Sequence, residues 1–180
     1  MPLSRVIRVA HTADLEKALL GEVWDMLVEV FEGDIEESDW EHALGGIHSL
    51  AYEDSELVGH ASVVQRRLIH DGRALRTGYV EAVGVRAHAR RRGHAGALMD
   101  AIERVIRGAY ELGALGASDM ALPFYRTRGW LPWEGETYTL TPQGIERTPD
   151  DDDALLVLEV TTELDRAAFI TCDWRDGAVW

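Results

Sequence analysis

Residues 75–118 read LRTGYVEAVGVRAHARRRGHAGALMDAIERVIRGAYELGALGAS, and a change of period inside this stretch decides the fold. Its opening, LRTGYVEAVGVR, predicts a strand. From Gly93 the apolar residues Ala95, Leu98, Met99, Ile102, Val105, Ile106, Ala109 and Leu112 recur at helical spacing. Asp100, Glu103, Arg104, Arg107 and Glu111 fall opposite them, and Gly113 is the expected C-cap. A short strand, ALGAS, follows at once. Strand, helix and strand in this order form a βαβ unit, whose right-handed crossover makes its two strands parallel.

Working outward, Asp71-Gly72 is a hairpin signal that joins this strand to HASVVQRRLIH (60–70). HSLAYED (48–54) precedes it across the polar EDSELVG, so three strands form a meander. VIRVAH (6–11) alternates as a strand, and TADLEKALLGEVWDMLVEVFEG (12–33) places Leu15, Leu19, Val23, Leu27 and Val30 at helical spacing. GDIEESDWEHALGG (33–46) is expected to be an acidic loop. Beyond residue 118 come a short helix around LPFYRTRG (122–129) and two strands, WEGETYTL (133–140) and ALLVLEVTT (154–162). The sum is an α/β (α+β) chain: a mixed, mostly antiparallel central sheet with one βαβ unit and flanking helices. With no internal repeat and no Pro/Gly/Ser linker, residues 1–180 are expected to form a single domain.

The composition fits a soluble globule with a sizeable core, 46% hydrophobic and 28% charged over 180 residues. A single cysteine, Cys172, excludes an intramolecular disulfide and a Cys-rich zinc cluster, and the seven histidines show no metal spacing, so no metal is expected. The first residues, MPLSRVIRVAHTADLEKALL, meet Asp14 and Glu16 too early for a signal sequence, and no run approaches membrane-spanning length. A cytoplasmic location is expected, with no membrane partner. Acids outnumber bases 32 to 18, a net charge of −14, which disfavours nucleic acid and favours a cationic partner.

Against that acidity stand three consecutive cations, Arg90, Arg91 and Arg92, between the strand ending at Val85 and the helix beginning near Gly93. A helix N-terminus offers free N–H groups and a positive dipole end, and there cations are the wrong sign for the helix itself. Either the run is a solvated loop, or an external anion such as phosphate belongs in the gap. The pattern is neither a Walker loop nor a dinucleotide fingerprint.

Arg90-x-x-Gly93-x-Ala95 resembles the pyrophosphate-binding signature of the GNAT superfamily of N-acetyltransferases. The wider stretches EGDIEESDWEHALGG, QRRLIHDGRALRTGYVEAVGVRA, RGAYELGAL, YRTRGWLPW, RTPDDDDALLVL and CDWRDGAVW resemble the aminoglycoside 2′-N-acetyltransferases, over nearly the whole chain. The resemblance implies the GNAT fold, acetyl-CoA as donor, an aminoglycoside with a 2′-amine as acceptor, antibiotic resistance, and a homodimer. It implies that the backbone of Val83, Gly84 and Val85 pairs with the pantetheine arm, and that Arg90, Arg91, Arg92, Gly93, His94 and Ala95 hold the pyrophosphate. The chain departs from the family at Gly116, where a serine can touch the antibiotic, and at Ala178, where an acid can stand.

For the chemistry, the resemblance makes Glu81 the base, acting through water on the 2′-ammonium, the Val83 N–H the donor to the thioester oxygen, and Tyr125 the acid that reprotonates the thiolate. Read by itself, Glu81 is equally a paired structural carboxylate, whereas Tyr125 reads first as a core tyrosine with a satisfied hydroxyl. Strict alternation would put Tyr79, Glu81, Val83 and Val85 on one face. The acceptor, a polycation, is expected to meet Asp34, Asp39, Glu81, Ala82, Asp150, Asp151 and the Trp180 carboxylate, although each acidic stretch alone reads as a solvated loop. Two other functions fit the same features less fully: acetylation of another cationic amine, such as a polyamine, a cell-wall amino sugar or a protein N-terminus, and non-catalytic sensing of acyl-CoA. A sensor needs neither Glu81 nor Tyr125.

Overall fold

A computed structural model describes residues 5–180. The chain divides into two compact units, one holding the described residues up to Val64 together with Val80–Val105, the other Gln65–Tyr79 and Ile106–Trp180. Two strands, β3 (Glu56–His70) and β4 (Arg73–Val85), and one helix, α3 (His94–Ala109), contribute to both.

In the first unit, β1 (Arg5–His11) pairs antiparallel with β2 (Ile47–Glu53) from Arg5↔Glu53 to His11↔Ile47, and β2 pairs antiparallel with β3. The β2–β3 turn is tighter than the sequence suggests. Asp54 (φ 47°) and Ser55 (φ 72°) both adopt the left-handed conformation of a two-residue hairpin, so the polar EDSELVG is mostly strand.

The first helix is also shorter than expected. Residues 12–14 form a 3₁₀ turn and α1 runs Lys17–Val30, because Thr12 is committed elsewhere: its N–H donates to the Gly46 carbonyl and its hydroxyl accepts from the Gly45 N–H. The apolar stripe packs as its spacing predicts, with Leu15, Val23, Met26 and Leu27 buried against Leu50 and Leu57 of the sheet. The expected acidic loop contains a helix, α2 (Glu37–Ala43). Its acids start it: the Glu36 side chain bonds the N3 backbone while the Asp39 carboxylate accepts from the Glu36 N–H at 2.9 Å.

The second unit adds β5 (Leu112–Gly116), α4 (Leu122–Thr127), β6 (Leu131–Pro132), β7 (Thr137–Thr141), β8 (Gly144–Arg147), β9 (Leu155–Glu159) and β10 (Ile170–Cys172). Its strand order is β6-β9-β5-β4-β3-β10-β7-β8. The Asp71-Gly72 hairpin forms, with φ of 49° and 72°. β4 and β5 are parallel, Thr77↔Leu112 to Tyr79↔Ala114, and α3 connects them, as the period change requires. A second parallel pair, β7 with β10, departs from the expectation; β10 with β3, β5 with β9, β6 with β9 and β7 with β8 are antiparallel.

Two details of α3 depart from the expected helix. Leu112 and Gly113 lie in β5, and Gly113 is no C-cap: a Cβ there would come within 3.0 Å of Trp130, 3.1 Å of Ile106 and 3.2 Å of Leu158, so its bareness serves sheet packing. Glu103, assigned by charge to the water-facing side, is only 9% exposed. The centre of the apolar face is as expected, with Leu98, Met99, Ile102 and Ile106 fully buried, whereas Ala95 and Val105 are half-buried and Ala109 is exposed. Among the described residues no helix is long and apolar enough to cross a membrane.

Candidate active site

After β4 the chain makes a 3₁₀ turn over residues 87–89, passes Arg91 (φ 60°) and Gly93 (φ 84°) in left-handed conformations, and enters α3. A side chain at 93 would be strained by that φ and would place Cβ 3.0 Å from the Arg5 guanidinium. The first α3 bond runs from the Ala97 N–H to the Gly93 carbonyl, leaving the N–H groups of His94, Ala95 and Gly96 without intrahelical acceptors.

The three arginines do not act alike. Arg90 is exposed and donates from Nε to the Val85 carbonyl at 3.1 Å, which fixes its stem. Arg91 is exposed. Arg92 is paired with Glu53, whose other oxygen lies 2.7 Å from His94 Nε2. The His94 hydrogen bond, aided by Arg92 and opposed by burial, holds the Glu53 carboxyl below its usual range. His94 is buried, and its Nδ1 has no hydrogen-bond partner among the described residues. Free helix N–H groups, two outward guanidiniums, an orphaned ring nitrogen and a position without a side chain together fit a phosphate group.

The end of β4 carries the reacting-centre candidates. Glu81, Ala82 and Val83 are all half-buried. Ala82 has φ 51°, which interrupts the pleat, so strict alternation does not carry from Tyr79 and Glu81 through to Val83 and Val85. Side chains of β3 hold the two carbonyls at this break: Ser62 Oγ donates to the Glu81 carbonyl at 3.2 Å, and His60 Nδ1 lies 2.7 Å from that of Ala82. Gly84 is buried close to α1, where a Cβ would meet Val30 at 2.9 Å.

Beside this break lies a cavity of about 180 Å³ lined by Phe31, Asp34, Ile35, Asp39, Glu81 and Ala82. Four residues expected at the acceptor, from three separate segments, therefore share one small space. Two apolar walls, Phe31 and Ile35, were not anticipated; their signal was adjacency to the acidic stretch. One Asp39 oxygen is engaged in capping α2, which orients the carboxylate.

The second unit holds the remaining candidates. Tyr125, on α4, is 6% exposed, its ring 5.1 Å from Phe124 and 6.1 Å from Trp130. Trp180 is buried, and its indole N–H donates to Thr148 Oγ1 at 3.0 Å, immediately before the 3₁₀ turn Pro149–Asp151 that carries Asp150 and Asp151. Burial, then Asp150 and Asp152, raise the Asp151 carboxyl above its usual value. Asp152 differs: Arg147 pairs with it and Thr137 donates to it, and it is held low. At Gly116 a Cβ would stand 3.7 Å from the Tyr79 hydroxyl and 3.9 Å from the Trp180 carbonyl carbon, so a serine there would lie against Tyr79 and the Trp180 backbone. The Ala178 carbonyl accepts from Arg175. Among the described residues no three His, Cys, Asp or Glu are placed to hold a metal.

The profile of the acetyltransferase (GNAT) domain matches residues 12–132. A curated relative, the aminoglycoside 2′-N-acetyltransferase of Mycolicibacterium fortuitum, is 54% identical over 177 residues, covering 96% of this chain and 91% of that protein. Among solved structures, the GNAT family N-acetyltransferase YhbS of Escherichia coli, in complex with CoA, superposes with a TM-score of 0.67 at 16% identity, covering 96% of this chain and 91% of that one. An aminoglycoside acetyltransferase from an uncultured soil metagenomic sample, HMB0005, gives a TM-score of 0.55 at 18% identity over 70% of this chain and 91% of that one. Extended β4, the glycine-bearing turn and the open N-terminus of α3 all lie within the matched residues, and the chain belongs to that family: it is a member of the GNAT acetyltransferases, of the same family as the aminoglycoside 2′-N-acetyltransferases.

Proposed function

We propose that the protein transfers an acetyl group from acetyl-CoA to the 2′-amine of aminoglycoside antibiotics, and so confers resistance to them. The cavity that unites Asp34, Asp39 and Glu81 carries this reading: three carboxylates around about 180 Å³ suit ammonium groups on a sugar. The 54% identity with a relative of that name supports it.

Acetyl-CoA supplies an activated acetyl group when bound. Arg90, Arg91 and the N–H groups of α3, with Arg92, Gly93, His94 and Ala95 in the same turn, hold its pyrophosphate, and the backbone of Val83, Gly84 and Val85 pairs with its pantetheine arm. Asp34 and Asp39 orient the acceptor, and the family resemblance supports further contacts from Asp150, Asp151 and Trp180. Glu81 takes a proton from the 2′-ammonium through water, because only the neutral amine has a lone pair to attack the thioester. The Val83 N–H donates to the carbonyl oxygen as negative charge develops there. As the C–S bond breaks, Tyr125 gives its phenolic proton to the thiolate, the attacking nitrogen gives up its second proton and so restores the phenol through water, and Glu81 releases to solvent the proton that it took. The amide and free CoA are the products. We read residues 1–180 as one N-acetyltransferase domain acting in the cytoplasm as a homodimer. The family resemblance supports the dimer, and a sequence with a single cysteine calls for no oxidising compartment.

The deciding assay follows acetyl-CoA-dependent thiol release with tobramycin, which has a 2′-amine, against an aminoglycoside with a 2′-hydroxyl and against a polyamine. The amine acceptor should exceed the hydroxyl one in kcat/KM by about 10³-fold or more. Equal rates for all three would discard the regiochemical reading. Tyr125→Phe should lower kcat by about 10²-fold with the KM for acetyl-CoA unchanged; an unaltered kcat would remove the tyrosine from the mechanism.

A further inference from the structure

Beneath the reacting end of β4, four groups of the first unit form an unbroken polar file. Thr12 Oγ1 lies 2.7 Å from His48 Nε2, His48 Nδ1 lies 2.9 Å from His60 Nε2, and His60 Nδ1 lies 2.7 Å from the Ala82 carbonyl. Both histidines are fully buried. Trp40 covers them, its ring 6.1 Å from His48 and 5.8 Å from His60.

The last acceptor fixes the direction of every proton in the file. A carbonyl cannot donate, so His60 carries its proton on Nδ1. His60 Nε2 must then accept, and His48 also carries its proton on Nδ1. His48 Nε2 therefore accepts from Thr12, whose hydroxyl in turn accepts from the Gly45 N–H at 2.9 Å. Burial, reinforced by His11 for His48 and by His48 for His60, pushes the two rings down to about 4 and about 3, so both are neutral at working pH.

The file ends on an unusual peptide. Ala82 is left-handed without being glycine, a strained conformation that the surrounding bonds must hold. The Ala82 carbonyl and the Val83 N–H belong to the same amide plane. A hydrogen bond on the carbonyl draws electron density from the nitrogen, making the N–H a stronger donor, and it fixes the plane's rotation.

We infer that the His48–His60 pair is a positioning device that locks and polarises the Ala82–Val83 peptide so that the Val83 N–H meets the thioester oxygen. This rests on the role given to Val83 above. His48 and His60 touch neither substrate; they act through the peptide. Thr12 and the Gly45 N–H anchor the far end, so the first turn after β1 and the reacting end of β4 are tied by one set of oriented hydrogen bonds.

Two kinds of measurement test this. In the wild-type protein, ¹⁵N imidazole spectra should show both histidines as the Nδ1–H tautomer; an Nε2–H form of either would overturn the inference without any variant being made. For the variants, asparagine can place an amide N–H where Nδ1 sits, whereas glutamine reaches only the Nε2 position. His60→Asn should keep kcat for tobramycin within about threefold, and His60→Gln should lower it about tenfold or more, with the KM for acetyl-CoA unchanged in both. The backbone ¹⁵N resonance of Val83 should move in His60→Gln and stay in His60→Asn. Equal kcat and equal Val83 shifts in the two variants would reduce the pair to a structural filler and sink the proposal. If the wild-type protein does not acetylate tobramycin, the acceptor reading fails by itself, while the tautomer and the Val83 resonance still decide this one.

Discussion

Glu81→Gln should lower kcat for 2′-amine acceptors by about 10²–10³-fold while leaving the KM for acetyl-CoA unchanged. Glutamine matches the shape of the side chain and keeps a carbonyl oxygen to accept hydrogen bonds, but at neutral pH it cannot take a proton. The backbone at residue 81 stays in place in the variant, because Ser62 still holds its carbonyl and His60 still holds that of Ala82. The loss should shrink as pH rises toward the pKa of the acceptor amine, since solvent then supplies the neutral nucleophile that Glu81 otherwise generates. A deficit independent of pH would assign Glu81 to acceptor binding alone, with Asp34 and Asp39, and an undiminished kcat would place the base elsewhere.

Gly46→Ala should be strongly destabilising. A Cβ at residue 46 would lie 2.1 Å from the Val63 carbonyl oxygen, 2.9 Å from its carbon and 2.8 Å from Val64 Cγ1. No flexible side chain can swing away to relieve this, because the nearest obstacle is backbone of the neighbouring strand. Separating β2 from β3 at Ile47↔Val63 breaks the ladder where it begins. We expect a loss of about 3 kcal/mol and a fall in Tm of about 10 °C. The carbonyl of Gly46 also receives the Thr12 N–H at 3.0 Å, so the polar file through His48 and His60 should loosen as well. A Tm unchanged within 2 °C or so would contradict the register at this end of the hairpin.

How far the sequence reveals this molecule depends on whether the signal is local. The strand, turn and helix of the βαβ unit announce themselves through a change of period, and Asp71-Gly72 through a conformation those residues favour. Asp34, Asp39, Glu81 and Ala82 are identified by resemblance, and the cavity that they share is consistent with it. Signals that arise only in three dimensions stay hidden. Helix α2 has no apolar period, with Ala43 its one buried residue, and starts on a reciprocal acid cap. The break at Ala82 has no glycine to mark it. His48 and His60 look like isolated polar interruptions of two strands, and meet only because His48 pairs with Ser62 and Leu50 with His60, putting the rings on a diagonal. Arg92 is matched by Glu53, from the end of another strand.

That last pairing bears on selectivity. Three uncompensated cations on one turn would attract any polyanion, including the nucleic acids and polyphosphates abundant in a cell, over a distance of about 10 Å at moderate ionic strength. Glu53 supplies Arg92 with an internal counter-ion, so the long-range field of the turn is weaker than its arginine count suggests. For the anion site proposed above, recognition would then fall to short-range geometry, with the Gly93 corner and the first N–H groups of α3 favouring a compact anion that fits between them. On that proposal, the run of arginines serves discrimination among anions rather than capture of them.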